Sequence, residues 1–519
     1  MTDAANRPVT FDLPGPEYEE ATWIHNEHGA ASSPQLTQTV AILVPMMGAS
    51  NDEGGLPERL NVNSFGYTRA AKWPPESTLS PHLDDTSVPE DDSNLLDWRE
   101  RCLPVVDEVV AEIDAFDPDA VVAGGWRDAV VAHQTRISEA MRLVHESAVF
   151  HAQILGETFV GRYIVEFGAD KQAEGLALLQ GFPNISTTRA AEFWDLGRIA
   201  RRSNAVLSAI TSGELPSGSS ADEVEFRDGF ELAIDKYGHV NPLVMEDTPT
   251  WREDFSMPLS IILQYSTEDD DRSPRVVEKA AVIRREELVS ALVAAARTST
   301  AAADLVRILP YGQHIGPVTE DHNLLADQRI LNASRMRWLK VGEMLCGKGA
   351  LEQAGDVFYY EIDELLELLE SGAAIDPGLV SSRKSQLALW RTVIAPSVLG
   401  KGAQSEQSDS EEIVVTGMAA SAGTYTGRAR VITVVTEADR LEEGDVLVCD
   451  LTTPPWTPYF AVAGALVTNI GSVLAHGAIV AREFGIPAVV GTGNGTTLIP
   501  DGATVTVDGS TGTVTVVRD

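Results

Sequence analysis

Residues 397–412, SVLGKGAQSEQSDSEE, split the chain into two kinds of sequence. A run of Ser, Gly, Gln and acidic residues has little apolar surface to bury, so it reads as a flexible linker. Before it, apolar residues recur at three- and four-residue spacing. After it, short β-branched runs alternate with Gly and Asp turns. The expected fold class is therefore α+β and multidomain. A mainly helical body with a small N-terminal β and loop portion fills residues 1–396, and a compact α/β domain fills residues 413–519. A flexible stretch of roughly 15 residues has an r.m.s. span of about 20 Å and an extended reach of about 50 Å, enough for the second domain to swing.

Helical spacing runs through Leu103–Phe116, Trp126–Glu157, Gln172–Leu179, Thr188–Thr211, Glu223–Lys236, Val276–Ala303, His322–Gly347, Ile362–Ser371 and Leu379–Ile394. Residues 1–75, rich in Pro, Gly and aromatics, read as loops and short strands. They form either a flap packed on the body or a wall of a substrate pocket. Strands are expected at Ala429–Val435, Val446–Asp450, Ala465–Thr468, Ala488–Val490, Thr504–Val507 and Thr513–Val517.

Charge removes several function classes. The formal net charge is −38 over 519 residues. Such a field repels nucleic acid and anionic membranes, and neither is expected as a partner. It also repels ATP at long range, so any phosphate site must rest on local Arg, backbone N–H groups or metal. Three distant cysteines, Cys102, Cys346 and Cys449, form no disulfide framework and no CxxC metal site. No metal ligands are read from the sequence. The first residues lack a basic segment followed by an apolar run, and no stretch has the apolar length of a membrane span. The expected location is cytoplasmic.

The chemistry concentrates in Gly471–Gly491, GSVLAHGAIVAREFGIPAVVG. It reads as a small-residue loop, a helix over Gly477–Phe484, a Gly-Ile-Pro break and a buried strand. His476 stands where loop becomes helix. Taken alone, it is either a histidine tied to a backbone carbonyl or a nucleophile whose free ring nitrogen takes a phosphoryl group. Free N–H groups at the helix start, Gly477 among them, suit a phosphate. Arg482 is a further candidate phosphate contact, although nearly two turns separate it from His476 and pairing with the domain body is its ordinary role, as for Glu483.

This stretch closely resembles the phosphohistidine signature of the phosphoenolpyruvate-utilising enzymes, in which a histidine precedes A-x-V-A-R-E-x-G-I-P-A-V-V-G. The likeness covers residues 413–519: Gly417, Ser421-Ala422-Gly423 and Gly427 at the opening, Gly444–Val448 as the central strand, Thr453-Pro454 with Trp456 and Pro458 as the Pro-rich loop, and Asp508-Gly509 as the closing turn. It implies a swivelling domain with His476 as nucleophile. Ser472 stands where a second glycine is usual and Ala475 where a hydroxyl or thiol residue often precedes the histidine, which leaves open what orients the ring.

The body is similar to the acceptor-binding domain of rifamycin phosphotransferases and to the catalytic subunits that phosphorylate phenols. Trp23 and Asn26 with Ser33–Thr37, Leu178–Gly181, Tyr237-Gly238-His239 and Asp356-Val357-Phe358 carry this resemblance. Pro249–Asp254 and Glu320-Asp321-His322-Asn323 look closer to phenylphosphate synthases and their alkylphenol relatives. Val240 departs from the Arg that often follows Tyr-Gly-His. By this resemblance Trp23, Asn26, Tyr237, Glu320 and Asn323 are substrate-binding candidates, and His239, Asp321 and His322 candidates to take the proton of a phenol, whose pKa is about 10. Each has a plainer reading: His239 as a satisfied core histidine, Asp321 as a helix cap. Arg198 and Arg202 are candidate phosphate contacts or a solvated face paired with acids.

No G-x-x-x-x-G-K-[ST] loop occurs. Gly347-Lys348-Gly349-Ala350 reads as a turn ending a helix, and the helical body leaves no room for an ATP-grasp domain. Rifamycin phosphotransferases carry that domain in the same chain, whereas phenol-phosphorylating systems can place it in a separate subunit; the latter resemblance implies ATP and Mg²⁺ on an ATP-grasp partner that phosphorylates His476. The acceptor is a small aromatic hydroxyl compound, and the products implied by the family are an aryl phosphate, AMP and phosphate. The alternatives are an antibiotic phosphotransferase and a non-catalytic phosphocarrier.

Overall fold

The computed structural model describes residues 15, 22–25, 58–62, 65–69, 97–168, 171–243, 245–315, 317–372, 377–390, 398–400, 413–452, 454–471, 473 and 475–517. Asn26, the Ser33–Thr37 cluster and Ser472 lie outside these residues.

The body is helical over 97–390, and its helix starts follow from local chemistry. Asn184 accepts from the Thr187 amide at 2.9 Å and opens Ile185–Arg202, while Ser220 and Glu223 form a reciprocal capping box on Ala221–Tyr237. Several boundaries differ from the periodicity. The stretch read as Trp126–Glu157 is Trp126–Val144, a π-helical turn His145–Val149, and Phe150–Phe167. The stretch beginning at His322 is Val318–His322, a second π turn Asn323–Asp327, then Gln328–Gly347. A π turn inserts a residue without interrupting the apolar spacing enough to be seen. Ser256–Thr267 is a helix the spacing missed, because its mostly apolar residues are buried on more than one face.

The N-terminal strands are real. Glu58–Val62, Phe65–Arg69, Thr22–His25 and Val398–Gly400 form an antiparallel four-stranded sheet in that order. The segment read wholly as linker from residue 397 therefore begins with a strand: Val398 pairs with Ile24 and Leu399 with Trp23. Two β-branched or aliphatic residues before a glycine suffice when a partner edge is present.

In the C-terminal domain eight strands form one sheet, ordered 414–416, 513–516, 504–508, 424–431, 446–449, 465–468, 488–490 and 418–421. Four of them, Thr424–Val431, Val446–Cys449, Ala465–Thr468 and Ala488–Val490, run parallel. Burial explains their runs of apolar residues, since Val446–Cys449, Ala465–Thr468 and Ala488–Val490 are buried at every position. The helix His476–Glu483 is the crossover between the last two parallel strands, so it begins beyond their carboxyl end, where open parallel sheets place their sites. Gly485, at φ +68°, closes that helix, and the Ile486 amide reaches back to the Ala481 carbonyl at 3.0 Å.

The two parts share one apolar cluster. Phe193, Trp194, Tyr237, Trp251 and Tyr265 of the body are continuous with Trp456, Tyr459, Phe460 and Phe484 of the α/β domain. Each such ring removed from water contributes on the order of 2–3 kcal/mol. The loop Pro454–Ala461 lies against helices Ile185–Arg202 and Ser256–Thr267. Polar contacts add to it: Gln172 Nε2 donates to the Ala419 carbonyl at 2.9 Å, and Arg272 to the Ala463 carbonyl at 3.0 Å.

Candidate active site at the domain junction

His476 is the first residue of its helix, after Ala475 in extended conformation (φ −69°, ψ 157°). Ala475 has no side chain to cap the helix, so the amides of its first turn are left to solvent or a ligand. Its carbonyl accepts the Ile479 amide at 3.0 Å. Gly477 follows because the backbone there lies against Thr452: a Cβ on Gly477 would meet Thr452 Oγ1 at 2.4 Å. The neighbouring segment Pro454–Ala461, beyond the carboxyl end of strand Val446–Cys449, completes the α/β side. Phe460 meets the imidazole edge to face at 6.3 Å, and Thr457 Oγ1 stands 3.5 Å from Nε2.

The other nitrogen is held from the body. His476 Nδ1 lies 2.8 Å from Glu320 Oε2. A carboxylate only accepts, so the ring donates from Nδ1 and its Nε2 presents the lone pair. Glu320 is 2% exposed, and the Ser186 hydroxyl donates to the same oxygen at 3.3 Å. A carboxylate so buried requires positive charge nearby. Arg189 and Arg482 supply it, each interacting electrostatically with Glu320; burial pushes both guanidinium groups down to about 10. Arg189 also lies over the Trp251 ring at 5.2 Å.

Arg482 does not reach forward to the helix start. Its guanidinium donates to the Ala420 carbonyl at 2.9 Å and the Val473 carbonyl at 2.6 Å, fixing the loop that leads into His476. Arg198 and Arg202, the other expected phosphate contacts, are paired with acids and carbonyls. Arg198 donates to the Glu268 carbonyl and Asp270, both at 2.9 Å, while Arg202 holds Asp222 at 2.9 Å and Glu225. Arg202 is exposed, whereas Arg198 is half-buried with its guanidinium over the Trp194 ring at 4.3 Å.

Among the four residues 320–323, Glu320 alone makes a described contact with His476. Successive residues on a helix point about 100° apart, so one turn cannot aim all four at a single atom. Asp321 Oδ1 accepts from the Ile185 amide at 2.8 Å and thereby caps the neighbouring helix rather than its own. Burial pushes its carboxyl up to about 6. His322 donates from Nδ1 to the Val318 carbonyl at 3.0 Å, and Asn323 Oδ1 accepts from Gln328 at 2.9 Å. His239 bonds through Nε2 to the Leu324 carbonyl at 2.9 Å, and burial lowers its pKa to about 4. Tyr237 is fully buried against Phe193. Trp23 is described only through its strand pairing with Leu399. Thr457 and Phe460 were not singled out by the sequence, although the Pro-rich loop that carries them was.

Glu483, at the far end of the His476 helix, makes a second junction contact. Its Oε1 accepts from the Gly181 amide at 3.3 Å, and burial pushes the carboxyl up to about 7 against the pull of Arg482, with Glu278 and Glu320 also raising it. Arg285, bonded to the Gln180 and Gly181 carbonyls, faces it from the body. A raised carboxyl favours its protonated form, so this contact is most stable below about pH 4.5 and loses stability as pH rises to about 7. Thermal unfolding of Glu483→Gln beside the parent chain measures this. Similar midpoints are expected near pH 5 and a higher midpoint for the variant at pH 8; a gap independent of pH would show that the carboxyl does not titrate there.

Comparison with known proteins agrees with this layout. Residues 441–512 match the mobile domain of PEP-utilising enzymes, and residues 146–310 match the rifampicin phosphotransferase fourth domain. A rifampicin phosphotransferase of Streptomyces sviceus is 27% identical over 413 residues, 73% of this chain and 45% of that protein. Chondramide synthase cmdD of Chondromyces crocatus is 29% identical over 468 residues, 80% of this chain and 12% of the synthase. The phosphoenolpyruvate synthase of Aeropyrum pernix is 50% identical over 115 residues, 22% of this chain and 14% of that enzyme. The chain spans less than half the length of each of these relatives. With His476 at the start of a crossover helix and Glu320 facing it from the helical body, the junction brings together a part similar to the mobile domain of PEP-utilising enzymes and a part similar to the rifampicin phosphotransferase fourth domain.

Proposed function

We propose that the chain is a phosphotransferase that carries a phosphoryl group on His476 Nε2 and delivers it to the hydroxyl of an acceptor bound in the helical body. The observation that carries this reading is the 2.8 Å contact between His476 Nδ1 and buried Glu320. It fixes the ring with Nδ1 protonated and Nε2 available for phosphorus. Once Nε2 is phosphorylated, a ring that keeps its Nδ1 proton is a cation, and the Glu320 carboxylate stabilises it. That cation is the reactive form, because neutral imidazole is then the leaving group. The acceptor oxygen attacks phosphorus and the P–N bond breaks. The electron pair returns to Nε2, and the hydroxyl proton passes to a base or to water. Phe460 and the surrounding apolar cluster keep water from competing.

The acceptor assigned is a phenol or alkylphenol, on the likeness of Glu320–Asn323 and Pro249–Asp254 to phenol-phosphorylating subunits. A second reading, a rifamycin-like acceptor, is favoured by the named rifampicin phosphotransferases that align with most of the chain. The donor step is assigned to an ATP-grasp subunit that holds ATP and Mg²⁺ and leaves AMP and phosphate. The residues here fit a phosphoryl group at Nε2 and do not form a nucleotide loop. Gly349, at φ +72°, closes the helix Gln328–Gly347, as a helix-ending turn does.

The test mixes the full chain with an ATP-grasp polypeptide, β-labelled ATP, Mg²⁺ and, in turn, a panel of phenols and a rifamycin. Acid-labile label on the chain followed by an aryl phosphate supports the phenol reading. Product with the rifamycin alone replaces it by the second. Label that reaches no acceptor points to a phosphocarrier, and turnover by the chain without the partner removes the separate subunit.

A further inference from the structure

The geometry points to a divalent transition-metal site, of the kind zinc occupies, formed by His145, His322 and Asp327. Their ligand atoms all lie within 4.8 Å of one another, the one such group of three among the described residues. His145 Nε2 is 3.6 Å and His322 Nε2 3.8 Å from the same oxygen, Asp327 Oδ2. The two rings meet at 82° with centroids 5.3 Å apart, so their edges converge instead of stacking.

Tautomers decide what this convergence is for. His145 Nδ1 lies 2.8 Å from the Met141 carbonyl, and His322 Nδ1 3.0 Å from the Val318 carbonyl, each four residues back on its own helix. A carbonyl only accepts, so both rings carry a proton on Nδ1. In a neutral ring that leaves a lone pair on Nε2, and both Nε2 atoms face a carboxylate. Three electron-rich atoms aimed at one point repel one another unless a cation lies between them. Metal-binding histidines commonly have this arrangement, with the second N–H bound to a backbone carbonyl.

The distances suit a metal better than hydrogen bonds. At 3.6 and 3.8 Å both N···O separations exceed hydrogen-bonding range. With metal–ligand bonds of roughly 2.0–2.1 Å they correspond to angles of roughly 120–135° at an ion, so a tetrahedral ion would draw the three side chains in by a few tenths of an ångström. Asp327 is 8% exposed, and its Oδ1 is buried with no hydrogen-bond partner. Both imidazoles remain partly open, which gives an ion a route in and leaves room for water as fourth ligand.

The two π turns build the site. His145 opens the turn His145–Val149, while His322 immediately precedes and Asp327 closes the turn Asn323–Asp327. A bound ion ties these turns together two residues beyond Glu320, and so stiffens the helix Val318–His322 that presents the carboxylate to His476. No spacing in the sequence announces a site whose ligands are 177 and 5 residues apart along the chain.

The full chain, stripped with chelator and dialysed, is titrated with Co²⁺ and then Zn²⁺. One equivalent of Co²⁺ is expected, with a visible d–d band that Zn²⁺ displaces, and two paramagnetically shifted, exchangeable imidazole N–H signals from the retained Nδ1 protons. His322→Ala should weaken binding by more than the roughly 10–100-fold that loss of an outer partner costs, and His145→Ala/His322→Ala should abolish the band. His314→Ala, an exposed histidine elsewhere, should keep it. A parent chain without the band in excess Co²⁺, or a double variant that retains it, overturns the site. Should the double variant not fold, absence of the two shifted ring protons in the parent chain overturns it equally.

Discussion

His476→Asn is expected to abolish both protein phosphorylation and product, with a fall on the order of 10⁴-fold or more, as loss of a nucleophile produces. Asparagine keeps a polar side chain of similar reach at the helix start and is a tolerated residue there, so the α/β domain should remain folded. The side chain has no nitrogen that can accept and release phosphorus. The measurement follows acid-labile label from β-labelled ATP on the chain in the presence of the ATP-binding partner. An unchanged thermal midpoint shows that the loss is chemical. Label retained by the variant would place the nucleophile elsewhere and remove the mechanism. Position adds to identity here: His476 is anchored by a crossover helix between buried strands, and Phe460 and Thr457 confine its ring.

Much of this arrangement is legible along the chain, and the reason is locality. The helix after His476, its stop at Gly485-Ile486-Pro487 and the buried strand Ala488–Val490 are each written in fewer than ten consecutive residues, where periodicity and backbone preference act directly. The change from helical to β pattern near residue 400 is legible for the same reason. Short strands that depend on a distant partner are not: Val398–Gly400 looks like linker until Thr22–Ile24 lies beside it. The same limit hides the candidate site. Glu320 and His476 are 156 residues apart, and nothing within either segment says that they touch. Glu320 could be named as chemically interesting, but its role as the group that orients the imidazole belongs to tertiary structure. The question raised by Ala475, which offers no hydroxyl to the ring, is answered from the other domain. Asp321 and His322 looked equally suited to the chemistry by composition. The helical turn sends one to the Ile185 amide and the other to the Val318 carbonyl.

Glu320→Gln should separate the two half-reactions. The glutamine oxygen can still accept from Nδ1, so ring orientation survives, but the negative charge that stabilises the phosphorylated imidazolium is gone. Removing one preorganised electrostatic contact of this kind costs about 10²–10³-fold in the step that uses it. That step is transfer from His476 to the acceptor, because the contact exists when the α/β domain lies against the helical body. In the proposed mechanism a partner subunit phosphorylates His476 at another site, out of contact with Glu320, so that step should proceed at close to the parent rate. The expected result is a variant that accumulates phosphohistidine and discharges it slowly on adding acceptor, with kcat lowered and acceptor KM little changed. Rapid-quench measurement of the two rates decides it. Equal loss in both would show that Glu320 acts at the donor step or on folding, whereas no loss in either would leave the 2.8 Å contact without a catalytic part. Glu320→Ala sharpens the contrast. It removes the acceptor as well as the charge, frees the ring to change tautomer and leaves the Arg189 guanidinium without its buried counter-charge, so it should be both slower in discharge and less stable than Glu320→Gln. A positioning carboxylate predicts that order, with alanine below glutamine below glutamate in discharge rate, and a residue that merely filled space would give glutamine the parent's rate.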